Sequence, residues 1–278
     1  MPVSGESRAP FDLAAAAQIS AMLSVEPETE TRPEHPIERI EGDASLGLLL
    51  VCEHASNAVP EDLGRLGVPE AEFSRHIAYD IGAAEVTRRL AARLGVPAVL
   101  TQFSRLIIDP NRGRRDPTLV MRLSDGAIVP GNARIDAAGI AERIRRFYVP
   151  FDRAVDEAVG QSEAAGVRPM FVTIHSFTPF WRTVARPWQV GVLYDQDSGL
   201  SRLLIEALKA DPAGLCVGDN QPYDGGLPGD TIDRHATARG LPNALIEIRQ
   251  DLIGGPEGQE EWAQRFARIL RPMLRPPA

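Results

Sequence analysis

LGLLLVCE at 46–53, DIGAAEVTRRLAARLG at 80–95 and PAVLTQFS at 97–104 decide the fold class of this chain. The first is a short continuous apolar run, the pattern of a strand buried on both faces. The second spaces its apolar residues as a helix does, with Asp80 placed to cap the start and Gly95 to stop the end. The third returns to a strand pattern. Strand, helix, strand is a βαβ unit, which sets neighbouring strands parallel through a right-handed crossover.

The alternation continues outward from this unit. ARIDAAGIAERIRRFYVPFDRAVDEAVGQSEAAG (133–166) predicts a long helix with a kink or break at Pro150. MFVTIHS (170–176), WQVGVLY (188–194) and NALIEIR (243–249) predict strands, and SRLLIEALKA (201–210) and GQEEWAQRFARILRPML (258–274) predict helices. Residues 109–132 form a loop rich in Arg, Gly, Asp and Pro, and a structureless loop beyond about 15 residues is itself a hint of function. There is no internal repeat. The class is α/β: three layers, with a mostly parallel mixed sheet flanked by helices. Residues 46–278 read as one α/β domain and 1–45 as an N-terminal extension. Within it AAAAQISAML (14–23) predicts a short helix, while VEPETETRPEHPIER (25–39), which holds His35, has no apolar period and reads as an irregular lead-in.

Composition narrows the partners. The 278 residues are 44% hydrophobic and 24% charged, which excludes collagen-like and strongly disordered classes. No apolar run approaches the roughly 20 residues that span a bilayer. The start, MPVSGESRAPFDLAAAAQIS, lacks the basic and apolar regions of a secretory signal. Two cysteines, Cys52 and Cys216, make neither a disulfide framework nor a four-thiolate zinc site. A net charge of −8 argues against nucleic acid and anionic membrane as partners. The expectation is a cytoplasmic monomer or homodimer acting on a small molecule. Of 30 basic residues only Lys209 is lysine. Arginine grips carboxylates through its planar fork, although base-composition bias accounts equally well for most of the excess.

In open α/β sheets ligands bind beyond the carboxyl ends of the strands, and several strands here end in polar groups. LLLVC runs into Glu53-His54, FVTI into His175-Ser176, AVLTQF into Ser104-Arg105 and ALI into Glu247-Ile248-Arg249. His54 and His175, at equivalent places, are either hydrogen-bonded structural residues or metal ligands. Two His with a carboxylate and an open position is the usual composition of hydrolytic zinc. SRLIIDPNRGRRD (104–116) is either a solvated charged turn or a carboxylate clamp, with Arg forks and the Asn111 amide holding a substrate carboxylate. Glu247 stands in a strand otherwise of Leu and Ile. Buried, it would have a raised pKa suited to a general base; on an exposed edge it would pair with Arg249. His235 in DTIDRHATARG (230–240) and His76 in SRHIAYD (74–80) each face a pocket or the surface. A serine hydrolase lacks its G-x-S-x-G elbow, a Cys52 nucleophile is disfavoured because Cys52 is expected to point into the sheet, and DGGLPGD (224–230) follows no phosphate-loop pattern.

CEHASN (52–57), HIAYDIGA (76–83), SRLIIDPNR (104–112), TIHS (173–176), NQPYDGG (220–226) and LIEIRQDLI (245–253), in this order, resemble the N-formylglutamate amidohydrolase family from about residue 48 to 270. That family is similar in fold to zinc carboxypeptidases and to the succinylglutamate desuccinylase and aspartoacylase group. The resemblance implies a mixed, eight-stranded-type sheet and a zinc ion (or another divalent metal) that activates water to cleave an amide. Formate and an amino acid such as glutamate would result, as in histidine breakdown.

By the same resemblance His54 and His175 take the two histidine metal positions and Glu247 the general base. Asn111 and Arg112 hold the substrate carboxylate, with His235 a further substrate-binding candidate. The carboxypeptidase pattern His-x-x-Glu is not kept, because Asn57 stands three residues after His54. Asp80, opening the helix after the His54 strand, is therefore the expected acidic ligand, with a plain helix cap as its other reading and Glu53 as the fallback ligand. Arg105, or Arg249 beside the base, would stabilise the oxyanion. A catalytically silent binder of an acidic amino-acid derivative, favoured by Asn57, and a zinc hydrolase of peptide or ester bonds are the competing readings.

Overall fold

In the computed structural model the described residues are 35–195 and 199–276. Strands β1 (Ile37–Ile40), β2 (Leu48–Cys52), β3 (Ala98–Thr101), β4 (Leu123–Ser124), β5 (Ala127–Ile128), β6 (Met170–Phe177), β7 (Phe180–Trp181), β8 (Val184–Ala185), β9 (Val190–Leu193), β10 (Val217–Asp219) and β11 (Asn243–Arg249) follow in chain order. Seven of them form one sheet in the order β1-β3-β2-β6-β11-β9-β10. The three pairings within β3-β2-β6-β11 are parallel, β1 joins β3 and β9 joins β11 antiparallel, and β10 runs parallel to β9. The sheet is mixed and mostly parallel, with seven strands among the described residues where the family resemblance implies eight.

Every residue of β2 is buried, because each face of the sheet carries helices. Leu48, Leu50 and Cys52 face a core shared with α1 (Ala83–Leu94), and with the helices Leu200–Lys209 and Pro256–Leu270. Leu49 and Val51 face the opposite way, toward Phe151, Val155 and Val159 of the helix Val149–Ala164. In chain order the longer helices are α1, α2 (Ala137–Arg143), α3 (Val149–Ala164), α4 (Leu200–Lys209), α5 (Thr231–His235) and α6 (Pro256–Leu270). Helix, sheet, helix is the three-layer α/β architecture.

Some local expectations change. β1 lies inside the stretch read as an irregular lead-in. Four residues between prolines and acids are too few to show a period, and pairing with β3 supplies the order. The helix expected at 14–23 lies outside the described residues. Between α2 and α3 the chain does not break at Pro150; it widens into a π turn, Ile144–Tyr148, with the Val149 N–H reaching Ile144 O. The wider turn accommodates a proline ring that would collide with an ordinary α-helical carbonyl. The 109–132 loop is a series of turns, the β4–β5 hairpin and a helical turn at Pro130–Ala133, anchored by buried Arg143, which donates to Ile107 O at 2.7 Å and Asn132 Oδ1 at 2.6 Å.

Among the described residues no helix is long and apolar enough to cross a membrane. The loop after β10 folds back over β9, and Gly191 permits it: a Cβ there would lie 1.9 Å from Gln221 O. Gly191→Ala should therefore destabilise the protein by about 1–3 kcal/mol. The readout is a lower urea midpoint at unchanged slope.

Candidate functional site

The carboxyl ends of β3, β2, β6 and β11 lie at one edge of the sheet because these strands are parallel. Cys52, the last residue of β2, points into the α1 core, where burial pushes its thiol well above the ordinary range. It is no nucleophile. Glu53 and His54 follow it and are both buried, as is His175 on β6. In the ladder His175 is the register partner of Glu247 on β11.

Asp80 joins the two histidines. Its Oδ2 lies 2.7 Å from His175 Nδ1 and 3.3 Å from His54 Nδ1. The ligand atoms of His54, Asp80 and His175 all lie within 4.8 Å of one another, and all three residues are buried. Asp80 does not cap α1. The helix begins at Ala83, with Gly82 in left-handed conformation before it, and a Cβ on Gly82 would lie 2.1 Å from Ile253 O. That turn frees the Asp80 carboxylate to face the sheet edge, its own N–H held by His54 O at 2.9 Å.

The far nitrogens are held too. His54 Nε2 meets Asp109 Oδ1 at 2.7 Å, and His175 Nε2 lies 3.0 Å from Glu53 Oε2. A ring that gives its Nε2 proton to a carboxylate turns its Nδ1 lone pair toward Asp80, the arrangement that orients metal-bound imidazoles. Two ring nitrogens and a carboxylate oxygen facing one another at this spacing are a donor set that a cation can bind. The charge balance agrees. Glu53, Asp80, Asp109 and Glu247 are buried together, and Glu53 Oε1 has no hydrogen-bond partner. Two His and one carboxylate are the donor chemistry of a divalent ion such as zinc. The residues fit the group.

The titration shifts follow from the same crowding. Burial alone would raise the carboxyls of Asp80 and Asp109, but His54 and His175 hold the first, and Arg105 and His54 the second, well below the usual range. Burial opposes charge on His175, yet Glu53 and Asp80 carry it well above its ordinary value. Burial dominates at Glu247 and pushes it up to about 8. Its Oε2 has no partner. His76, with Nδ1 3.5 Å from Asp80 Oδ1, is pushed by burial down to about 4 and stays neutral.

A cleft of about 970 Å³ opens over this group, lined by His54, Asp80, Arg105, Asn111, Arg112, His175 and Glu247 among others. Arg105 bridges Asp80 Oδ1 at 3.4 Å and Asp109 Oδ2 at 2.8 Å. Asn111 Oδ1 accepts from Thr231 N, leaving its amide donors free of that bond, and Arg112 Nη1 donates to Asn111 O.

Other expected residues lie elsewhere. β11 ends at Arg249 and the chain turns sharply, so its guanidinium forks onto Asp251 at 2.8 and 3.3 Å and does not line the cleft. His235, on α5, is buried outside the cleft with Nε2 2.8 Å from Asp152 Oδ1 on α3. The fallback ligand Glu53 stands behind His175, and Asn57 donates to Phe73 O, away from the group. Asp109 was visible only as a turn residue, since nothing local shows that it reaches back to His54.

Sheet and site define an α/β enzyme with a buried histidine–carboxylate centre at the carboxyl edge of its parallel strands. The family described as N-formylglutamate amidohydrolase matches residues 46–254. The chain belongs to this family and is an amidohydrolase. The gene product Atu2144 from Agrobacterium tumefaciens, known as a crystal structure, is 35% identical with a TM-score of 0.80, over 85% of this chain and 93% of that one. The N-formylglutamate amidohydrolase from Ralstonia eutropha JMP134 shares the fold at 21% identity and a TM-score of 0.66, over 86% of this chain and 96% of that one. No curated protein matches the sequence.

The Asp152 cluster outside the cleft makes a pH prediction. Burial works against its carboxylate, but His235 and Arg234 lower it from 3.8 to about 2. A depressed acid stabilises the fold above its unfolded pKa, and this is lost as the pH falls through the folded one. Asp152→Asn should cost on the order of 1–2 kcal/mol at neutral pH, discounted for partial exposure. The Tm gap from wild type should close between about pH 4 and pH 2. A gap unchanged down to pH 2 would contradict this account.

Proposed function

We propose that the chain is a metal-dependent amidohydrolase that removes an N-acyl group, formyl at its smallest, from an amino acid bearing carboxylates, N-formylglutamate being the reference substrate. The observation that carries the reading is the convergence of His54 Nδ1, His175 Nδ1 and Asp80 Oδ2, with Asp109 and Glu53 behind the two rings. In this reading His54, His175 and Asp80 hold a zinc or similar divalent ion. Bound there, such an ion supplies Lewis acidity for the scissile carbonyl and for an attacking water.

The chain's own residues do the rest. Glu247, buried beside His175 in the ladder with an unpartnered Oε2, takes the proton of the attacking water and returns it to the leaving amine. Arg105, fixed by two carboxylates at the cleft wall, faces the oxygen that gains charge as the acyl carbon becomes tetrahedral. Asn111 and Arg112 hold the amino acid's carboxylate, which places the amide over the histidines. Arg249 and His235 have no part in this scheme.

The scheme is tested by metal analysis and turnover together. Protein purified without chelators should carry about one equivalent of metal, and Asp80→Ala should lose it. Glu247→Gln should keep the metal while turnover of N-acyl glutamates falls about 10²–10⁴-fold. Near-normal turnover by Glu247→Gln would remove that residue from the mechanism. No metal uptake even from added zinc would leave the silent binder as the better reading.

A further inference from the structure

We propose that the acyl side of the cleft is an aromatic subsite, so that the preferred substrate is an N-arylacyl amino acid, a carboxylate-bearing amino acid whose amide carries an arylacetyl-type group. The inference rests on the amide-hydrolysis reading above and specifies its acyl group.

Phe180, Trp181 and Tyr223 line the cleft and stay 57%, 50% and 38% exposed. Exposed rings scattered singly need no explanation, but three lining one cleft do. They come from separate segments, the β7–β8 hairpin and the loop after β10, and one buried side chain gathers two of them. Arg186, 8% exposed, lies 5.4 Å from the Trp181 ring centroid and 4.9 Å from that of Tyr223, with the buried Phe177 ring at 5.7 Å. Its Nη1 donates to Tyr223 Oη at 3.0 Å and to Thr178 Oγ1 at 3.2 Å. A cation held among rings fixes their positions, so the shelf is organised before a ligand arrives. Rings held this way present apolar surface to a planar group by stacking or edge contact.

The topology assigns the shelf to the acyl group. Arg105, Asn111 and Arg112 follow β3, on one side of the β2–β6 pair that carries the histidines, while β11 and β9 lie on the other side. Arg186 belongs to that other side, its carbonyl oxygen accepting from Arg249 at the end of β11. A substrate with its carboxylate at Arg112 and its amide over the histidines sends its acyl substituent toward the shelf. A formyl group has only hydrogen to put there. The cleft, about 970 Å³, is at the upper end of the ~300–1,000 Å³ typical of sites for much larger ligands. The reaction keeps its balance: the amide C–N bond breaks, the water's hydroxyl joins the acyl carbon, and its proton goes to the amine. An arylacetate and the free amino acid leave, with no further reactant.

The test measures kcat/KM of the zinc-supplemented full chain for N-formyl-, N-acetyl- and N-phenylacetyl-L-glutamate and for N-formyl-L-phenylalanine, with wild type and Trp181→Ala. Phenylacetyl should exceed formyl by about tenfold or more, and Trp181→Ala should reduce that ratio about tenfold. Phenylacetate alone should bind wild type about tenfold more tightly than Trp181→Ala by calorimetry. Turnover of formylglutamate with no phenylacetyl advantage, or a ratio and a phenylacetate affinity untouched by Trp181→Ala, overturns this inference alone. Preference for N-formyl-L-phenylalanine overturns it as well, by placing the ring on the amino-acid side. Hydrolysis of none of the amides overturns the functional reading and this inference with it.

Discussion

One carboxylate oxygen, Asp80 Oδ2, faces two imidazoles, and much of the architecture serves to bring these three groups together below the surface. Buried charge is costly unless it is paired, and here four carboxylates share one sheet edge with Arg105 and two histidines. Only a fixed scaffold can hold them. β2 and β6 are adjacent and parallel, so His54 and His175 emerge side by side, while the Gly82 turn directs Asp80 between them. Loss of any one member would leave its partners buried and unpaired, which is why Asp109 and Glu53, away from the proposed metal position, belong to the same unit.

That unit divides the cleft into unlike halves. The β3 side presents arginine and asparagine, suited to an anion; the β11 side presents rings gathered around Arg186. The protein's net charge of −8 would repel an anionic substrate at long range, so the local basic half has to act at contact distance. In the proposed function this division would give the amide a direction across the histidines, and orientation of this kind is a large part of what an active site contributes to rate.

How much could be read from the chain follows from where each signal resides. The βαβ unit was legible because burial on both faces leaves a continuous apolar run, and helical spacing is local. His54, His175, Glu247 and Arg105 were legible as polar breaks at strand ends, and the parallel sheet collects those ends at one edge. β1 was not, because an edge strand of four residues draws its order from β3 and not from its own pattern. Arg249 was expected beside the base because alternate residues share a strand face. The strand ends there, and Asp251 captures the guanidinium. His235 reads like any polar helix residue until α3 brings Asp152 against it.

The sequence by itself determined the class of fold, the strand-end histidines and the family, because these depend on periodicity and on motif order along the chain. The tertiary structure alone decided which carboxylate meets the histidines, which ones stand behind them, and which arginines face the cleft. Those choices turn on contacts between residues such as His54 and Asp109, or Arg186 and Tyr223, that are far apart in the chain. Such contacts leave no local pattern, since only the closing of the sheet and the return of its loops sets the distances over which charge and hydrogen bonding act.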